Sequence, residues 1–258
     1  MRANIAINDR GAVLTANGTT PPPGGMLATR LNRNFAITLD RAPTVNALLT
    51  LIRTLRAIDA NMELTGAGIF DGTNHTRQTI CLPLAQMALR QLEAQNPTAF
   101  RSDVEFITPN LLTFDTLPGD LVRLARVRPV VGDVPASLIK IYGAQIKNMA
   151  LLGQSLSMKL CYIAVPKGLS WPNPPPLITQ PFDICLEPPA NLWLEIVYEL
   201  ALATHRHVHH FGTLALPTGK FHRFHRLVYP IKSENHQANN HRICSTAILT
   251  DLPDAVII

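Results

Sequence analysis

The densest run of reactive side chains lies between His205 and Arg226. There His205, His207, His209, His210, His222 and His225 stand among Arg206, Lys220, Arg223 and Arg226, and no acidic residue interrupts them. Three kinds of chemistry fit such a tract. Imidazoles on one strand face, His205, His207 and His209, could meet zinc. Structural zinc sites usually bring paired thiolates, however, and catalytic ones a nearby base; neither is evident, so no metal is expected. Alternatively, fixed positive charge on a hairpin, with Phe211, Phe221 and Phe224 between, could hold the phosphates of RNA or of lipid head groups. The expected anion-binding set is Arg206, Lys220, Arg223 and Arg226, with Arg123, Arg126 and Arg128 as a second basic strand. The six histidines would add charge below pH about 6 and make such contacts pH-sensing. The plainest reading is a solvated, His-rich sheet face or a contact between copies.

Elsewhere the signatures of catalysis are missing. Gly66-Ala67-Gly68 is followed by Gly72, one residue off the dinucleotide-binding spacing, with no helical run behind it. Gly153-Gln154-Ser155-Leu156-Ser157 has Ser where a nucleophile elbow needs its second Gly for close packing of the turn. There is no GxxxxGK[ST], HExxH or CxxC, and the acidic residues are too scattered to pair for acid–base work. No enzyme, no cofactor and no small-molecule substrate are expected.

Composition sets the wider limits. With 258 residues, 47% of them hydrophobic, the chain can bury a sizeable core. Its charged fraction of 16% is well below the roughly 25% of an average domain. Part of the surface is therefore expected to lie against copies of itself or a partner. The 21 prolines belong at turns and strand edges, which suits many short strands. No apolar run follows the charged Met1–Arg10 stretch, and no run of about 18 apolar residues occurs. An intracellular or virion location is expected, without a transmembrane span, and with Cys81, Cys161, Cys185 and Cys244 reduced.

Several elements can be read directly. Residues 1–33, with TANGTTPPPGG at Thr15–Gly25, read as a flexible arm before a body at 34–258. NFAITL at Asn34–Leu39 reads as a strand. Pro43-Thr44 opens a helix with Val45, Leu48, Leu49, Ile52 and Leu55 on one stripe. A second helix is expected from Pro83, with Leu84, Met87, Ala88 and Leu92 inward, ending before Asn96-Pro97. Beyond Phe100 the expected strands are Val104–Ile107, Leu121–Val131, Leu138–Tyr142, Leu156–Val165, Phe221–Tyr229 and Ile243–Leu249. Trp171–Pro189 is expected to be an extended loop. Leu192–Thr204 can be a strand or a helix capped by Asn191; its Trp, Ile, Val and Tyr favour the strand. The fold class is α+β, with helices in the N-terminal part and a β-rich, sandwich-like, mainly antiparallel body. A division at 34–100 (helical) and 101–258 (β-rich) is expected.

In overall texture the chain resembles the matrix proteins of negative-strand RNA viruses, the rhabdovirus kind most of all. The points of likeness are a mass of 28.3 kDa, a pI near 9.2 and the arm carrying TTPPPGG. A β-rich body, low charge density and the lack of enzyme motifs complete it, although the PPxY motif of some members is absent. The resemblance implies a homo-oligomer that binds the nucleoprotein or RNA and lies peripherally on an anionic membrane surface. The rival readings are a capsid-like or movement-type β-sandwich viral protein and a zinc-dependent enzyme using the His-rich tract.

Overall fold

The computed structural model describes residues 4–16, 18–31, 34–58, 62–67, 70–107, 149–154, 159–164, 169–171, 180–181, 189–215, 219–231, 242–249 and 256–257. Among them are fourteen strands and three helices, in two compact units, Met1–Gln95 and Asn96–Ile258. The class is α+β, and the strand pairs are antiparallel except for two. The division falls at 95/96, and the first unit, where a helical part at 34–100 is expected, carries a six-stranded sheet as well as two helices.

The first unit corrects the expected arm. Strands β1 (Asn4–Ile7), β2 (Val13–Ala16) and β3 (Met26–Leu31) form half of a six-stranded sheet, in the order β2-β1-β3 followed by the next three strands of the chain in sequence. The Gly-Pro loop before β3 is pinned by backbone chemistry. The Gly24 N–H donates to Asp40 Oδ2 (2.7 Å), the Asp40 N–H to Gly25 O and the Thr44 N–H to Gly24 O. The bond from Gly24, first among several, holds the Asp40 carboxyl below its ordinary range. Pro and Gly signal a bend, and here the bend joins two strands.

β4 (Asn34–Leu39) matches NFAITL and runs parallel to β5 (Met62–Gly66) through α1 (Val45–Leu55). The Thr44 hydroxyl caps α1 by accepting from the Ala47 N–H at 3.3 Å. Val45, Leu48, Leu49, Ile52 and Leu55 are all buried, as their spacing predicts. β6 (Phe70–His75) leads into α2 (Arg77–Gln95), which starts before Pro83 and carries that proline inside it. Thr76 supplies the earlier start, its hydroxyl accepting from the Thr79 N–H. Met87 is only half-buried; Leu84, Ala88 and Leu92 are buried.

The second unit is built on an antiparallel sheet. β7 (Phe100–Phe106), β11 (Val208–Ala215), β12 (Phe221–Ile231) and β13 (Arg242–Leu249) lie side by side. The far edge of β13 is shared by β8 (Met149–Gln154) and β14 (Val256–Ile257). β9 (Leu160–Ala164) then pairs with β8, and β10 (Leu169–Trp171) with β14. Expected strands at Leu121–Val131 and Leu138–Tyr142, and most of the Trp171–Pro189 loop, lie outside the described residues.

Across β11, β12 and β13 lies α3 (Ala190–Thr204), so the strand favoured for Leu192–Thr204 is a helix. All its residues but Ala190 and Leu192 are buried. Burial on every side erases the difference between a period of 2 and one of 3.6, and Glu199–Ala203 supplies good helix formers. Its cap position is Pro189, two residues earlier than the expected Asn191. Among the described residues no helix is long and apolar enough to cross a membrane.

The close approach of β7 to β11 depends on Gly212. Its φ is +153°, and a Cβ there would run into the carbonyl oxygen of Arg101 on β7. We predict that Gly212→Ala lowers the unfolding free energy by about 2 kcal/mol or more. Urea denaturation of the two proteins checks this.

Candidate functional site

Pleating sorts the His-Arg tract into two faces. On β12 Phe224, Arg226 and Val228 alternate with Arg223, His225 and Leu227. In register, Arg226 lies across from His210, and His210 across from Val104 of β7. Likewise Arg223 lies across from Thr213, and Thr213 across from Arg101. The first set faces α3; the second faces away from it.

Under α3, Arg226 and His210 are fully buried. The Arg226 guanidinium sits 5.0 Å from the Trp193 ring and 5.7 Å from that of Phe224. Its Nη1 lies 3.0 Å from His210 Nδ1. Because a guanidinium only donates, Nδ1 must accept, which puts the His210 proton on Nε2. That Nε2 is buried and has no hydrogen-bond partner among the described residues. Trp193 stacks on Phe100 at 4.9 Å, meets His210 and Phe224 edge-on and donates Nε1–H to Ser102 Oγ at 2.8 Å. Farther along α3, the Tyr198 hydroxyl donates to Ser245 Oγ. Burial lowers the Arg226 pKa, opposed by Tyr198 and Tyr162.

The outer face is polarised. At the β11–β12 turn Arg101, Lys220, Phe221 and Arg223 are exposed, Phe221 by 48%. Farther from the turn, the Glu105 carboxylate meets His209 Nδ1 at 2.8 Å, and His209 Nε2 meets His225 Nδ1 at 3.0 Å. The His209 side chain is 2% exposed and Glu105 50%.

The expected anion-binding quartet is therefore not one surface. Arg226 is in the core, and Arg206 lies at the opposite end of β11, its guanidinium over the Phe106 ring at 4.6 Å. Lys220 and Arg223 remain together, and Arg101 joins them from β7 through a pairing that the sequence does not announce. Arg123, Arg126 and Arg128 lie outside the described residues. The histidines separate as well. His205 ends α3 in a left-handed conformation (φ 52°), His207 packs edge-on against Tyr229, and His210 is withdrawn from any surface role. His222 is half-exposed near the turn. Among the described residues no group of three His, Cys, Asp or Glu could hold a metal ion. Cys81 and Cys161 are free and buried, and burial pushes the Cys81 thiol up to about 12, far from a reactive thiolate.

No protein-family model matches the chain, and no curated protein matches it. A solved structure, "Structure of an RNA-binding Light-Oxygen-Voltage Receptor", aligns with 68% of this chain at 9% sequence identity and a TM-score of 0.32. The alignment spans 46% of that receptor, and a likeness this loose says nothing about what the present chain binds.

Burial lowers the pKa of His207, His209, His210 and His225, and that of His210 most, with the Arg226 charge next in effect there. Neutral imidazoles in the native state and chargeable ones in the unfolded chain mean that unfolding takes up protons. This stability is fully present above pH 6.5 and is lost as pH falls toward the lowered native values. We predict that His210→Gln, whose amide oxygen can still accept from Arg226, flattens the acid loss by up to about 1.4 kcal/mol per pH unit below pH 6.5. Urea titrations between pH 7.5 and 5 measure it.

Proposed function

We propose that this protein is non-enzymatic and binds RNA on the outer face of its second sheet, within the wider role of a viral structural protein of matrix type. The observation that carries the reading is the in-register row Arg101–Thr213–Arg223, with Lys220 and the exposed Phe221 beside it. Arg101 on β7 and Arg223 on β12 stand about 10 Å apart across the intervening β11, a spacing that a flexible phosphodiester backbone can bridge. An exposed phenylalanine beside them offers a surface on which an unpaired base can stack, whatever its identity. Asp103 and Glu105, farther from the turn on β7, limit the footprint by repelling phosphate. This patch is smaller than the one the sequence suggests, and it lies at one end of the sheet. Self-association belongs to the same role and rests on the low charge density of the chain.

The test is binding of a labelled single-stranded RNA oligonucleotide by fluorescence anisotropy over a range of salt concentrations. Replacing Arg101, Lys220 and Arg223 together by Ala should flatten the slope of log affinity against log salt by about 2, or roughly 0.7 per lost phosphate contact. Arg226→Met should leave the slope unchanged, because its guanidinium does not reach the surface. A triple variant that binds with the parent's slope ends the assignment.

A further inference from the structure

The contact between His209 and His225 is of an unusual kind. Their ring planes lie within 10° of each other, and the centroids are 5.3 Å apart although the facing nitrogens are only 3.0 Å apart. Such a centroid separation arises only when two imidazoles lie nearly end to end, with one N–H aimed along the lone pair of the other. A metal ion could not enter this line without driving the rings apart.

Glu105 settles the proton count. Its carboxylate accepts from His209 Nδ1–H, so His209 Nε2 is bare and accepts from His225 Nδ1–H. Of the four ring nitrogens, one carries a proton toward Glu105, one accepts, one donates, and only His225 Nε2 is left to take a proton. One proton can enter there, after which the positive charge belongs to the pair, since the proton between the rings can sit on either nitrogen. A second proton would set two N–H groups against each other across 3.0 Å.

We propose that Glu105, His209 and His225 form a one-proton acid switch that adds a single positive charge to the RNA-binding face beside Arg223. The inference rests on the proposed function for its consequence, though not for the proton chemistry. Among the described residues the charged and titratable groups around His225 are few. Arg223 stands two residues before it on β12, and His209 neighbours it on β11. From β7 come Glu105, Asp103 and Arg101, and the residue across on β13, Ile248, does not titrate. Burial favours the neutral form of both rings, Glu105 works against this at His209, and a charge on His209 further discourages one on His225. The switch is therefore off at neutral pH and turns on below the ordinary histidine range.

Nitrogen-15 NMR of the imidazoles in the full chain tests the proton chemistry without RNA. The expected result is that both rings respond together in one step below pH 6.5, with His209 protonated on Nδ1 beforehand. His209→Gln should leave His225 to titrate alone, and Glu105→Gln, at an exposed position, should move the shared step to lower pH. Two separate one-proton steps in the parent overturn the inference. RNA affinity at constant ionic strength tests the consequence. It should rise by up to about tenfold per pH unit across the shared step and lose most of that rise in His225→Gln, with the salt slope kept. A pH response equal in the parent and His225→Gln overturns the switch. No RNA binding at any pH overturns the RNA reading alone, because the NMR result stands apart from it.

Discussion

The guanidinium of Arg226, buried between α3 and the centre of the second sheet, must be compensated by its surroundings. An unpaired ion in such a place would cost several kcal/mol even after relaxation. The surroundings answer with ring faces and an acceptor: Trp193 and Phe224 offer π electrons, and His210 offers a lone pair at 3.0 Å. Each neighbour is thereby constrained in turn. His210 has to stay neutral to accept, Trp193 has to keep its ring toward the charge and its N–H toward Ser102, and α3 has to hold its present angle across β11–β13.

With the inner face committed in this way, the outer face carries the groups that water and ligands can reach. A single strand serves both purposes, since Arg226 and Arg223 differ by one alternation of the pleat plus two residues along β12. The same holds for β11, where His210 belongs to the core and His209 to a chain of hydrogen bonds on the other side. Adjacent buried residues of one type thus meet different charged neighbours, Glu105 at His209 and Arg226 at His210, which is why their proton affinities cannot be judged from residue type alone.

Much of the fold was legible in local pattern. The 3.6-residue stripe after Thr44 declares itself because one face of α1 is buried and the other is not, and the short runs at 34–39 and 243–249 because their residues are strand-prone. Leu192–Thr204 did not, since a helix buried all round presents no wet face to set its period. The arm at 1–33 was misread because Pro and Gly report bends without reporting what the bends connect; here Asp40 and Thr44, distant in sequence, fasten the loop. At the candidate site the tract itself was visible, but its division into faces was not. That division follows from the strand register, which no count of histidines and arginines contains. Arg101 and Glu105 were invisible for a related reason: they reach the tract only through the pairing of β7 with β11.

That pairing joins parts of the chain that are far apart along it. Glu105 meets His209 across 104 residues, and Trp193 meets Ser102 across 91. A loop of that length must close before β7 gains any ladder partner on β11, so the early entropy loss is not offset by nearby contacts. Chains dominated by such distant pairings fold on scales of about milliseconds to seconds, where helical bundles take far less. Until β7 docks, the β11 edge stays open to any other strand, so the rate of this one event governs how long the nascent second unit is open to misassembly.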